Sequence, residues 1–198
     1  MTDRQLQRLL DESDIEKVLK LYCRAIDRLD LELLKSVYHP DGTDDHGIFS
    51  GNAHEFAEFI IGTMKNVIID GMHTVTHCTI DVEGDFATSE AYYSAYQLCR
   101  GGEAFVTEFF GERYAEEQHK NGTIDSNHDF FNAGRYIDLF ERRAGQWKIL
   151  RRKITSEWNV VSPSTRIADQ GVMAALNLPG RRDKQDPVYL NKIPGTSR

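Results

Sequence analysis

The spacing of apolar residues changes once along this chain, from a helical period near the N-terminus to alternation further on. After Asp14, an apolar stripe at helical spacing predicts an amphipathic helix over residues 14–29. A second short helix is predicted from Asp30 to Tyr38, because Pro40 disfavours helix in the residue before it. Apolar residues between positions 53 and 69 recur at helical spacing and predict a third helix.

From Met72 onwards the apolar residues alternate, which predicts antiparallel strands joined by hairpins. The predicted strands are Met72–Val82, Phe86–Arg100, Arg135–Arg143 and Gln146–Val160. Helices followed by antiparallel strands define an α+β fold. A curved sheet flanked by three helices leaves a hollow on one side, where a small ligand can bind.

Two segments depart from this plan. Residues 103–132 combine aromatic residues at near-helical spacing with a polar run, so a strand followed by a helical insertion is one interpretation. After Val161, prolines recur among charged residues. We therefore predict a domain over residues 1–162 and a C-terminal tail over 163–198, which packs on the domain or on a neighbouring subunit.

The overall charge argues against some classes of partner. With a net charge of −7 and a pI near 5.5, the chain lacks the concentrated basic surface that nucleic acid binding requires. The first residues lack the apolar core of a signal peptide, and no apolar stretch approaches the ~20 residues needed to span a bilayer. We expect a cytoplasmic protein without nucleic acid or membrane partners. Its three cysteines fit no disulfide framework or zinc site.

Tyr22 and Asp27 are the polar candidates on the first helix. At 100° per residue, Tyr22 falls inside the apolar stripe and Asp27 at its border. A carboxylate at that border can face a cavity, but it can equally be an exposed charge or serve the helix terminus.

His73 and His77 are four residues apart in a predicted strand, which places both side chains on one face. They could bind a metal, but zinc needs three or four ligands and no Glu or Cys stands beside them at a familiar spacing. Either histidine could instead be satisfied in the core. Imidazole is also well suited to take a proton near neutral pH, so a catalytic base is the third interpretation. No metal is expected.

Arg152 shares a predicted strand face with Leu150 and Ile154. An arginine with apolar neighbours on its own face either pairs with an acid, such as Asp138 or Glu141, or lines a wet pocket. The spacing alone leaves both interpretations open.

Several short segments carry a family resemblance. They are the first helix over residues 15–30, Tyr38-His39-Pro40-Asp41-Gly42, Asp45-His46-Gly47 with Phe49-Ser50-Gly51, Gly134-Arg135-Tyr136-Ile137-Asp138 with Glu141-Arg142, and Gly145-Gln146-Trp147-Lys148-Ile149. Together they resemble SnoaL-like proteins of the nuclear transport factor 2-like superfamily across most of residues 14–161. The resemblance implies a cone-shaped, curved, mixed or antiparallel sheet wrapped by three N-terminal helices, a cystatin-like α+β barrel.

In site residues the chain is most similar to scytalone dehydratase, hexachlorocyclohexane dehydrochlorinase and bile-acid 7α-dehydratase. Those enzymes use an aspartate on the first helix paired with a histidine on a strand, which match Asp27 and His77. A tyrosine and a late arginine of the bile-acid enzyme match Tyr22 and Arg152. His73 matches a histidine of the dehydrochlorinase, four residues before its catalytic one. The resemblance thus implies a catalytic set of Tyr22, Asp27, His77 and Arg152.

The implied reaction is a cofactor-independent, dehydratase-type elimination from a small hydroxylated substrate. His77 would remove a proton from an acidified carbon, while Asp27 fixes the tautomer of the imidazole. Tyr22 would hydrogen-bond to a substrate oxygen, and Arg152 would stabilise developing negative charge. No dinucleotide fingerprint or P-loop motif is present, so no cofactor is expected.

Five further residues are candidates for contact with the substrate: Tyr38, Phe49, His73, Tyr93 and Trp158. The aromatic members favour an apolar, aromatic or polycyclic substrate, although aromatic residues in strands also form ordinary core.

Two other functions fit the same resemblance. One is an isomerase of the ketosteroid type. The other is a non-catalytic ligand-binding or assembly module, such as the small subunit of a ring-hydroxylating dioxygenase. In the enzyme interpretation we expect a homo-oligomer, a dimer or a trimer, because the exposed side of such sheets packs on another copy. Residues 103–132 are longer than the matching connection in small relatives and would form a lid or a subunit contact.

Overall fold

A single mixed sheet of six strands, in the order β2-β1-β6-β5-β4-β3, organises the chain. The computed structural model describes residues 2–176 and 178–194, so position 177 and the last four residues of the predicted tail lie outside the described residues. The strands are β1 Tyr38–Asp45, β2 Ser50–Asn52, β3 Ile68–Glu83, β4 Phe86–Cys99, β5 His128–Arg143 and β6 Gln146–Pro163. Neighbours are antiparallel except β1 and β6, which run parallel. The sheet is curved and open, which confirms the α+β class.

Helices from the first third of the chain pack on the sheet and bury its inner face. The helices are α1 Asp3–Asp27, α2 Leu31–Ser36, α3 Ala53–Val67, α4 Glu103–Phe110, α5 Glu112–Asn121, α6 Gly171–Ala174 and α7 Pro187–Leu190. The first three match the three predicted N-terminal helices. Helix α1 begins well before Asp14, because the Thr2 side chain accepts from the Gln5 backbone N–H and the Gln5 side chain accepts from the Thr2 backbone N–H.

The ambiguous segment 103–132 forms two consecutive helices, α4 and α5, and then enters β5 at His128. The near-helical aromatic spacing was therefore the informative signal, and within residues 103–132 the strand follows the helices instead of preceding them. Gly111 separates the two helices with a φ of 94°, a backbone conformation that favours glycine.

Two bulges of one residue each, one in β3 and one in β6, lie along the same row of paired residues across the sheet. Between Val75 and Cys78, strand β3 has one residue more than β4, which continues from Tyr93 to Ala91. Strand β6 likewise has one residue more than β5 between Ser156 and Trp158. The bulges lie on the same row, because Val75 pairs with Tyr93, Tyr93 with Gly134, and Gly134 with Ser156. An extra residue reverses which side chains face inward beyond it.

The tail leaves β6 and returns to the end of α1. Its first residues contact β5, where the Ser164 hydroxyl donates to Asp129 at 2.8 Å. Its later residues pack at the junction of α1 and α2, where Tyr189 donates to Asp30 at 2.7 Å. Among the described residues, none of the helices combines the length and apolarity that a membrane crossing requires.

Candidate active site

A cavity of about 500 Å³ lies between the concave face of the sheet and helices α1, α3 and α4. Its lining is mostly apolar, as in sites that bind small organic molecules. The polar residues on its wall are Tyr22, His46, Thr63, His73, Tyr93, Gln97, Asn132, Tyr136, Ser156 and Asn159. The cavity therefore joins two histidines and several hydroxyl and amide groups in apolar surroundings.

Asp27 and His73 form an aspartate–histidine pair at one wall of this cavity. Nδ1 of His73 lies 2.7 Å from Oδ1 of Asp27, and the His73 backbone N–H donates to the two carboxylate oxygens at 3.1 and 3.0 Å. The side chains are only 8% and 10% exposed. A carboxylate that accepts from Nδ1–H leaves Nε2 of the imidazole free of that proton, so Nε2 can accept one.

Asp27 does not make the contact with His77 that the resemblance implied, but contacts His73 instead. His77 is exposed on the outer face of the sheet, where its Nδ1 lies 3.3 Å from the Thr76 hydroxyl and its ring meets the Tyr92 ring edge-on. The bulge after Val75 is the physical reason: it inserts one residue between the two histidines, so a spacing of four no longer places them on one face.

A second aspartate–histidine pair, Asp44 and His46, lies at another part of the cavity wall. Nδ1 of His46 hydrogen-bonds to Oδ1 of Asp44, and the Tyr38 hydroxyl donates to Oδ2. Nε2 of His46 lies 3.3 Å from the Tyr22 hydroxyl, and its ring stacks on Phe56 with centroids 4.3 Å apart. This chain of contacts fixes the imidazole from both sides.

Sequence reasoning gave Asp44 and His46 no role, although His46 belongs to a segment that carried the family resemblance. Residues two apart in an extended segment share a face, so the Asp-x-His spacing was the signal that could have revealed the pair. The charged segment around it contains few apolar residues, which also concealed strand β1.

Arg152 lies beneath the cavity and does not line it. Its guanidinium is fully buried, donates to both oxygens of Asp138 at 2.8 and 2.7 Å, and stacks between the rings of Tyr22 and Tyr136 at 4.1 Å from each centroid. Burial opposes the charge of Arg152, but the pairing with Asp138 outweighs it and raises the arginine pKa. Arg152 is therefore paired with an acid, Asp138, which was one of the two interpretations of its position in the sequence. Direct contact between Arg152 and a substrate does not fit this geometry.

Burial raises the pKa of the Tyr22 phenol far above its usual range, although the positive charge of Arg152 opposes the shift. Tyr22 thus remains a neutral hydroxyl at the cavity wall, able to donate or accept a hydrogen bond. Burial also raises the pKa of Tyr93. Both residues line the cavity, as their proposed contact with a substrate requires.

The other predicted contact residues lie elsewhere. Tyr38 is fully buried and its hydroxyl donates a hydrogen bond to Asp44, whereas Phe49 packs on Phe56 and Phe59. Trp158 is 52% exposed on the outer face of the sheet, because the bulge in β6 turns it away from Ser156. Within residues 2–176 and 178–194, no group of three or more His, Cys, Asp or Glu side chains is placed to hold a metal ion.

An open, curved α+β sheet that holds a cavity between its concave face and its helices defines a protein of the nuclear transport factor 2-like class. Residues 7–153 match the model of the SnoaL-like domain, and the chain therefore belongs to the SnoaL-like family. The resemblance seen in the sequence segments is confirmed.

Solved structures with the same fold are distant in sequence. A hexachlorocyclohexane dehydrochlorinase of type 3 from Novosphingobium barchaimii LL02 is 17% identical with a TM-score of 0.61, covering 82% of this chain and 96% of that one. A protein provisionally named scytalone dehydratase, from Novosphingobium aromaticivorans DSM 12444, is 17% identical with a TM-score of 0.58, covering 77% and 88%.

A protein of unknown function with a cystatin-like fold, from Nostoc punctiforme PCC 73102, is 14% identical with a TM-score of 0.54, covering 75% of this chain and 92% of that one. At such identities these similarities establish the fold alone. No curated protein matches the sequence significantly.

Proposed function

We propose that this protein is a cofactor-independent lyase that removes water from a small, apolar, hydroxylated molecule, using His73 as the base. The observation that carries the proposal is the Asp27–His73 pair at the wall of a mostly apolar cavity. Two of the solved structures with this fold bear the names of elimination enzymes, a dehydratase and a dehydrochlorinase, which supports the same class of reaction.

In this mechanism, Nε2 of His73 removes a proton from a carbon that a neighbouring carbonyl group or ring makes acidic. Asp27 holds the Nδ1 proton and stabilises the imidazolium once it forms. The two hydrogen bonds from the His73 backbone keep the carboxylate in place without any side-chain rearrangement. Asp27 therefore acts as a positioning residue, and His73 as the residue that meets the substrate.

The apolar wall contributes by excluding water. The attraction between the charges that form during proton transfer is stronger in such surroundings than in bulk solvent. Ile26, Ile60 and Met64 contribute to this wall and would contact the hydrocarbon part of the substrate. The aromatic residues Tyr93 and Phe109 favour a substrate with at least one ring.

The test compares two histidines on the same strand. A panel of β-hydroxy ketones on frames of one to four rings is incubated with the protein, and products lighter by one water are detected by mass spectrometry. For any substrate converted, His73→Gln should lower kcat/KM by about 10²–10⁴-fold, the usual contribution of a general base. The matched variant His77→Gln should remain near the wild-type rate, because His77 lies on the outer face.

Equal losses in the two variants would contradict the assignment of His73. Conversion to a product of unchanged mass would instead identify an isomerase of the ketosteroid type. Tight binding of panel members without any conversion would favour the ligand-binding alternative and reject the lyase.

A further inference from the structure

The Asp44–His46 pair has no role in the mechanism above, although His46 lines the same cavity as His73. In both pairs the carboxylate accepts from Nδ1, so in both the Nε2 atom is the one left for other partners. The site thus holds two oriented imidazoles, whereas removal of one proton from carbon needs only one of them.

The charge around Asp44 gives the second imidazole a distinct character. Asp44, Arg152 and Asp138 lie in one row across strands β1, β6 and β5. All three are almost completely buried, and Arg152 is paired with Asp138. Two carboxylates beside one guanidinium leave one negative charge without a counter-charge in this row, and His46 contacts the carboxylate of Asp44, which is not paired with Arg152.

We propose that His46 is the general acid of this site and donates the proton with which the hydroxyl group leaves as water. The proposal rests on the proposed lyase function and assigns the second half of its reaction. It also narrows the substrate to a molecule with a hydroxyl group on the carbon next to the acidic C–H, as in a β-hydroxy carbonyl compound.

The step balances in atoms and electrons. Nε2 of His73 takes the proton from carbon, and the electron pair of that C–H bond forms the new C=C bond. The C–O bond breaks, and the departing oxygen receives a proton from Nε2–H of His46 to leave as water. His46 is then neutral and accepts a hydrogen bond from the nearby Tyr22 hydroxyl. Water exchange returns a proton to His46 and removes one from His73.

Tyr38 and Phe56 hold this acid in place. The Tyr38 hydroxyl donates to the Asp44 oxygen that His46 does not use, and Phe56 stacks on the imidazole. Both rings are fully buried, so the imidazole has little freedom to turn away from the cavity. Such support is typical of groups that must meet a reacting atom in a fixed geometry.

The experiment compares two leaving groups on one carbon frame. The β-hydroxy ketone that is converted fastest is assayed beside its β-chloro counterpart, because chloride leaves without a proton. The uncatalysed rate is subtracted in each case. His46→Gln should slow loss of water by about 10²–10⁴-fold and loss of chloride by less than about 10-fold. His73→Gln should slow both reactions. His39→Gln is the control: His39 is a buried histidine of β1 whose Nε2–H donates to the Glu141 carbonyl, outside the cavity.

Equal slowing of both reactions by His46→Gln, or slowing of neither, would overturn the proposal while leaving the lyase intact. If the wild type eliminates neither group, the lyase function itself fails. Should His46→Gln not fold, the wild type decides the question with a series of β-aryloxy ketones. A shallow dependence of rate on the acidity of the departing phenol supports proton donation, and a steep dependence rejects it.

Discussion

Position 134 accommodates no side chain larger than hydrogen. A Cβ atom there would lie 1.8 Å from the Thr155 carbonyl oxygen and 3.0 Å from the Tyr93 ring. Next to it, the Arg135 N–H donates to the Thr155 hydroxyl at 3.1 Å. The close approach belongs to the bulge in β6, so this glycine is required for the bend that shapes the cavity.

We therefore expect Gly134→Ala to lower the free energy of unfolding by about 3 kcal/mol, the cost of forcing backbone to move in a packed sheet. Urea denaturation followed by circular dichroism measures the change. Gly62→Ala is the matched control: a Cβ at this position in α3 meets nothing within 4 Å, so alanine should stabilise the protein by about 0.5–1 kcal/mol. A loss of less than 1 kcal/mol in Gly134→Ala would contradict the close approach.

Arg152 shows how a buried charge can serve a site without touching it. Its guanidinium holds the rings of Tyr22 and Tyr136 at both faces, and these tyrosines line the cavity. Its partner Asp138 removes most of the cost of burial. The resemblance implied that Arg152 contacts the substrate; in the structure it contacts instead two rings that line the cavity.

Among the elements, the long amphipathic helix and the two hairpins could be predicted from the sequence, because their apolar periods and turn residues are local signals. Strand β1 could not, since it is poor in apolar residues and its inward-facing Asp44 is buried against polar partners. The faces of His77 and Trp158 could not either. Each residue follows a bulge that depends on pairing with a distant strand. Strict alternation of side chains along the sequence therefore predicts the wrong face of the sheet for both.

The tail reaches the element that carries Asp27. The Arg182 guanidinium donates to the backbone carbonyls of Asp27 and Ile68, which joins the end of α1 to the start of β3. Nη1 of Arg28 lies 3.4 Å from Oδ2 of Asp186, and Lys184 forms an ion pair with Asp30. The tail thereby fixes the two elements whose side chains form the Asp27–His73 pair.

Docking of the tail should weaken in acid. Burial alone would raise the pKa of Asp30, but hydrogen bonds from Lys184 and Tyr189 outweigh it and lower the pKa below the usual 3.8. A lowered pKa means that the carboxylate stabilises docking above about pH 4 and that this contribution is lost as the pH falls through the lower, folded-state value. Hydrogen exchange of residues 180–191, corrected for the intrinsic rate, should show less protection in that range.

Asp30→Asn should reduce this pH dependence, leaving the part that Asp186 contributes through its own lowered pKa, and should weaken protection of the segment at neutral pH as well. Asp81→Asn is the control, since Asp81 is an exposed carboxylate whose side chain is 81% accessible. Protection that is unchanged by acid in the wild type would show that Asp30 does not hold the tail.

At the scale of the whole molecule, the sheet has two faces of different character. The concave face carries the cavity, and the outer face exposes an apolar patch of Met72, Tyr92, Phe131, Trp158 and Val160, each at least 44% exposed. Arg135 lies beside this patch with ion pairs to Glu90 and Glu157. A patch with charges of both signs can form ion pairs with a second copy of itself across a two-fold axis.

We propose that two or more copies of this chain associate through the outer face, as the family resemblance implied. Trp158→Glu should therefore shift the wild-type oligomer to monomer in analytical ultracentrifugation, because a carboxylate cannot be buried there without a partner. Val172→Glu, at a 75% exposed apolar residue of α6 in the tail, is the matched control and should sediment like the wild type. The cavity lies on the opposite face of the sheet, so His73-dependent activity should persist in the monomer. A monomeric wild type, or an oligomer that Trp158→Glu leaves intact, would assign this face no role in assembly.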